Sequence, residues 1–181
     1  GRNELVIARS FTSTTLRTST WNGTAWTHHL PTSAPPTRSP AWLGAFAMSS
    51  LNLGYDASRQ RVVLFGGRNP VHGPAPANFF QFFNDLWEWD GTNWSQRVTP
   101  TAPAPREGAA IVFDPVRQQL LLMAGNRQEY NGAYLMFNDV WALDAAVAAT
   151  VTTLGPGCAG TGGTPSLVPS APHPGAPAFT I

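Results

Sequence analysis

Carboxylates come first among the side chains that could do chemistry. Asp56, Asp90, Asp114 and Asp144 recur along the chain, and a pair of carboxylates at the right separation can hydrolyse a glycosidic bond. Each of the four, however, stands beside a turn and recurs in register with another. That is the setting in which Asp side chains bond to nearby backbone amides and shape turns. Glu107 is the acidic residue outside this pattern, and one carboxylate does not make an acid–base pair. Histidines are scattered: His28 and His29 adjoin, while His72 and His173 are isolated in Pro-rich stretches. Without a two-cysteine spacing or a His-Glu-x-x-His segment, a metal site is not expected. There is no Gly-x-Ser-x-Gly elbow, and a phosphate loop ending in lysine is excluded because the chain has no lysine. No catalytic residue and no cofactor are assigned.

Arginine and aromatic residues remain. All 11 basic residues are arginine, beside seven Trp and ten Phe in 181 residues. Charged residues form only 12%, about half the usual share. The net charge of +1 gives no electrostatic case for nucleic acid or acidic lipid. No apolar run approaches the roughly 18 residues of a membrane span. Lysine avoidance with abundant Ala, Arg, Gly, Pro and Thr suggests a high-GC genome. The single cysteine, Cys158, has no internal disulfide partner; it could pair outside the chain or be a buried thiol. The opening segment lacks a signal-peptide layout, and the last residues read as a strand start. The chain therefore reads as a piece of a longer protein.

The elements that position these residues are set by an internal repeat. Residues 21–38 match residues 89–106 without a gap, 68 positions apart. Residues 55–69 match 113–127 at an offset of 58, and Asn84-Asp85-Leu86-Trp87-Glu88-Trp89-Asp90 matches Asn138-Asp139-Val140-Trp141-Ala142-Leu143-Asp144 at 54. Block order is kept while spacers vary. Val62-Val63-Leu64-Phe65 is a short apolar run of the kind covered on both faces of a sheet. Trp87 and Trp89 share one face by the strand period of two. Asn22-Gly23 and Asp90-Gly91 mark tight turns. Ala142 to Val151 is the one stretch that would admit a helix. The fold class is all-β.

These blocks resemble the Kelch repeat. An apolar strand closes on the diglycine Gly66-Gly67; then come Trp87 and Trp89, the turn and Trp94, and a Pro-rich connection to Arg106. The second copy has Ala124-Gly125 for the diglycine and keeps Trp141, but lacks a closing Trp; the first has Ser19 in place of Trp87. Gly1-Arg2-Asn3 echoes Gly67-Arg68-Asn69, which would start the chain just after a diglycine. The resemblance, over residues 21 to 144, implies a partial β-propeller of four-stranded antiparallel blades, with an irregular Gly/Pro-rich C-terminal tail. Residues 1–37 would form a partial blade, 38–105 and 106–153 a blade each, and 154–181 a linker or the start of a truncated β-sandwich-like module. Fewer than three blades cannot close a propeller, so further blades belong to the parent chain or another copy. Some Kelch-type propellers are copper radical oxidases, but those need a Tyr–Cys pair inside the propeller, and Cys158 lies outside it.

With strands a to d in order, the b–c loops and the d-to-a connections gather on one face. The b–c loops would be residues 68–83 and 126–137. That face would carry Arg38, Arg68, His72, Phe79, Phe80, Arg106, Glu107, Arg127 and Tyr130. Arginine forks and aromatic planes suit carboxylate, sugar or protein partners. Against this, Arg38 and Arg106 recur at equivalent places, as residues bonding backbone carbonyls between blades would. The run Phe79-Phe80-Gln81-Phe82-Phe83 could equally pack under its own loop. Asn22-Gly23-Thr24 and Asn93-Trp94-Ser95 fit the glycosylation pattern, but their place on the c–d turn explains them structurally. The expectation is a bacterial, non-enzymatic binding scaffold, extracellular or at the cell surface, for a protein or a carbohydrate. A remnant of a carbohydrate-active propeller enzyme and a purely structural spacer are the alternatives.

Overall fold

The computed structural model describes residues 4–9, 15–38, 51–72, 78–129, 132–144 and 151–156, with the backbone alone at 70–72, 78–79, 144 and 151–156. Every regular element among them is a strand, and all pairing is antiparallel. The first sheet has β1 (Leu5–Arg9), β2 (Arg17–Trp21) and β3 (Trp26–His29), in that order. The middle sheet runs β4 (Asn52–Asp56), β5 (Arg61–His72), β6 (Asn78–Trp89) and β7 (Trp94–Arg97) as a four-stranded meander. The last sheet joins β8 (Ala110–Asp114), β9 (Gln119–Met123), β12 (Asp139–Asp144) and β13 (Val151–Pro156) in the same meander. Between its second and third strands it carries a small hairpin, β10 (Asn126–Gln128) with β11 (Tyr134–Met136). No sheet closes on itself.

The alternation of side chains along β5 shows why its apolar run is continuous. Leu64 packs with Trp87, Trp89 and Trp94 against Ala8 and Leu16 of the first sheet's segment. Its neighbours Val63 and Phe65 point the other way, joining Leu86, Leu120, Leu122 and Leu143 in a second core shared with the last sheet. The middle sheet is thus apolar on both faces, and each fully buried aliphatic chain contributes roughly 1.5–3 kcal/mol. Sheet-to-sheet locking is also polar: the buried Trp94 donates from Nε1 to Thr18 Oγ1 at 2.8 Å.

Register corrects three readings of the sequence. Leu5 faces Trp21 as Val62 faces Trp89, so β1 is the counterpart of the strand before the diglycine, not of the segment after it. The supposed b–c loop of the middle sheet is mostly hairpin: β5 and β6 have 12 residues each and stay paired from Gly67–Phe83 out to His72–Asn78. The corresponding span of the last sheet is paired too, Arg127 facing Leu135. Pro70 and His72 read as loop, yet both stand in the ladder, opposite Phe80 and Asn78 of the Phe-rich β6. The stretch that would admit a helix has its described residues in strands, Ala142–Asp144 of β12 and Val151 of β13.

Candidate functional site

The connection leaving each of the first two sheets carries an arginine that enters the next sheet. Arg38 donates from Nε to the Gly66 carbonyl at 2.9 Å and from Nη1 to the Pro36 carbonyl at 2.9 Å. It also pairs with Asp85 and lies over the Phe83 ring, 3.7 Å from its centroid. Arg106 repeats this arrangement one sheet later. Nε donates to the Ala104 carbonyl at 3.1 Å, Nη1 to the Ala124 carbonyl at 3.0 Å, and Nη2 to Asp139 Oδ2 at 2.8 Å. The Phe137 ring lies 3.9 Å below. In both places the same carboxylate accepts an indole N–H two residues on, Trp87 to Asp85 and Trp141 to Asp139, each at 2.7 Å.

Both arginine side chains are 0% exposed. A buried guanidinium persists when its donors meet carboxylate, carbonyl and ring at once. Burial lowers the pKa of Arg38, against the opposing pull of Asp85. The hydrogen bond from Arg106 holds the Asp139 carboxyl below its ordinary value; partial burial opposes this and the Trp141 bond reinforces it.

The backbone at Arg106 locks the diglycine. Gly67 donates its N–H to the Arg106 carbonyl at 2.8 Å, and Arg106 donates its own to Phe83 at 3.2 Å. The ladder shifts register there, between Phe65 and Gly67. Gly66 has φ +61, and a Cβ on it would stand 2.6 Å from the Arg106 carbonyl and 2.8 Å from that of Phe83. At this bulge the two carbonyls leave no room for a side chain and glycine is required, whereas its counterpart in the last sheet, Ala124, holds φ 59. Gly67 and Gly125 also have positive φ, 97 and 96.

Beyond this lock, the long hairpin carries the second group of candidates. Arg68 on β5 lies over Phe80 on β6, 4.1 Å from the ring centroid, and pairs with Glu107 at 2.9 Å. Phe80 and Phe82 meet edge to face with centroids 6.4 Å apart. Glu107 is 7% exposed and bridges by backbone to Asn126, so the last sheet's hairpin starts beside it. Arg127 pairs within that hairpin, with Glu129 at 2.7 Å.

Of the nine residues expected on one face, Arg68 therefore contacts two others, Phe80 and Glu107. Arg38 and Arg106 are interior, and Arg127 is half-buried on the neighbouring hairpin. His72 and Phe79 have their backbone in the β5–β6 hairpin; their side chains, and Tyr130 altogether, lie outside the described residues, as do Cys158 and the C-terminal tail.

The recurring turn carboxylates are accounted for. Asp56, Asp90 and Asp114 each accept two backbone N–H bonds from the turn that follows. Asn22 does the same for Thr24 and Ala25, and Asn93 accepts from Thr32 across the sheet boundary at 2.8 Å. The side chain of Asp144 is outside the described residues. His28 is exposed and bonds Ser19, while His29 packs edge-on to Trp89. Among the described residues no group of three His, Cys, Asp or Glu could hold a metal ion, and no helix is long and apolar enough to cross a membrane.

Sequence reasoning missed Asp85, Asp139, Phe83 and Phe137 as the partners of the repeated arginines. The signal was present, since Phe-Asn-Asp recurs at the same offset as the Trp behind it. Comparison with protein-family models gives no match, and comparison with curated proteins gives none either.

Proposed function

We propose that this chain is a non-enzymatic binding scaffold of the Kelch-repeat propeller type, working outside the cell. Its partner is a protein or a carbohydrate, met by the β5–β6 and β10–β11 hairpins and the connections beside them. Two four-stranded meanders joined by the same arginine lock support the propeller reading, since a blade repeated about an axis needs one joint used repeatedly. The observation that carries the binding reading is the length of the β5–β6 hairpin. Its strands have 12 residues where their neighbours β4 and β7 have five and four, and the extension brings Arg68, Phe80 and Phe82 together outside the two cores. A guanidinium on an aromatic plane offers both charge and a stacking surface. Arg38 and Arg106 support this surface from within.

A glycan array and a pull-down, each run with the whole chain and with Arg68→Ala/Phe80→Ala, test the proposal. Retention of a partner that the double variant loses, at unchanged circular dichroism, is expected. Retention of the same partner by the folded double variant would contradict it. So would polysaccharide hydrolysis abolished by Glu107→Gln, which would make the chain an enzyme.

A further inference from the structure

The two sheet junctions are built to one plan but filled differently. At the first, Trp89 faces Trp94 across the strands with ring centroids 5.6 Å apart, and His29 of the first sheet meets Trp89 edge-on at 5.1 Å. At the second, Leu143 holds the place of Trp89 and faces Val151 in the register where Trp94 stood. The indole of Trp89 has become the aliphatic Leu143. A cavity of about 220 Å³ opens there, walled by Phe65, Leu86, Ile111, Leu122, Trp141 and Leu143.

The residue corresponding to His29 is Arg97, since Thr18 faces His29 as Leu86 faces Arg97. Arg97 lines the cavity and its side chain is 40% exposed, which puts it at the mouth. Among the described residues its nearest carboxylate is Glu88 at 3.6 Å, and Glu88 is already held by Arg59. Its guanidinium therefore keeps donors for an incoming anion.

We propose that this cavity is a binding site for a small aromatic carboxylate. The ring occupies the space that Trp89 fills at the first junction, and the carboxylate meets Arg97. An apolar slot gains from a flat ring of large apolar area, and a guanidinium takes a carboxylate with two parallel bonds. The volume is below the several hundred Å³ of drug-sized pockets, which limits the occupant to one or two rings. This site lies between two sheets and is separate from the hairpin surface proposed above.

Calorimetric titration with 2-naphthoate and with uncharged 2-naphthol tests the proposal on the whole chain. Saturable binding of naphthoate at least about tenfold tighter than naphthol is expected. Arg97→Gln should remove that preference while leaving naphthol binding unchanged. Leu143→Trp restores the indole of the first junction and should abolish binding of both probes with the melting temperature held or raised; Leu143→Phe serves if the larger ring does not fold. No saturable binding at millimolar concentration, no preference for the acid, or full binding by a folded filled variant would each overturn the proposal.

Discussion

Arg106 makes three kinds of contact at once, and each can be removed separately. Arg106→Ala leaves the half-buried Asp139 beside an empty slot; loss of one partner of a fully buried pair costs about 3–5 kcal/mol, and the partial exposure of Asp139 puts this one below that, at about 2–3 kcal/mol. Urea unfolding should show that loss, with Arg106→Lys in between, because an ammonium cannot span both carboxylate oxygens and a carbonyl. Asp139 sets an acid limit. Its carboxyl lies below its ordinary value in the folded chain, so the unfolded chain takes up the proton first as pH falls. The stabilisation is complete above the unfolded value of about 3.9 and is lost as pH drops through the folded one. Melting temperature should therefore decline as the pH is lowered through this range, and Asp139→Asn should flatten the decline. The sequence showed Arg38 and Arg106 recurring as joints, but not what they touch. A side chain reaching an Asp 33 residues on leaves no local periodicity to read.

At the scale of elements, pairing follows residue type closely where strands are apolar and short. The turns were legible because Asp, Asn and Gly do local chemistry. The hairpin extension was not, because Gly and Pro punctuate it while the pairing depends on Phe residues across the ladder. Two predictions follow from its geometry. Replacing residues 69–81 by Asn-Gly should keep the fold, since both cores use residues closer to the sheet centre, and should remove partner binding; a loss of far-ultraviolet dichroism would contradict this. Gly66→Ala should destabilise by about 1–3 kcal/mol from backbone strain alone, with a further cost from the crowded carbonyls, measured by thermal unfolding.

At the scale of the whole molecule, the described residues form a row of sheets in which each core belongs to a pair of neighbours. Among the described residues, only those of the middle sheet contribute to both cores. In such an array stability is a sum over adjacent interfaces, so amide exchange should be slowest in β5 and β6 and faster in the outer sheets. Uniform protection across all three would deny that order. The repeat itself made this architecture legible. The second junction's cavity was foreshadowed only by the missing closing Trp, because a vacancy depends on packing that one chain position cannot express. The central claim is that the sheets form the frame and the paired hairpins do the binding. Amide exchange with and without the retained glycan or protein tests it most directly. The account predicts new protection confined to residues 68–83 and 126–137, with sheet interiors unchanged. Protection appearing instead at the opposite turns, around Asp56, Asp90 and Asp114, would contradict it.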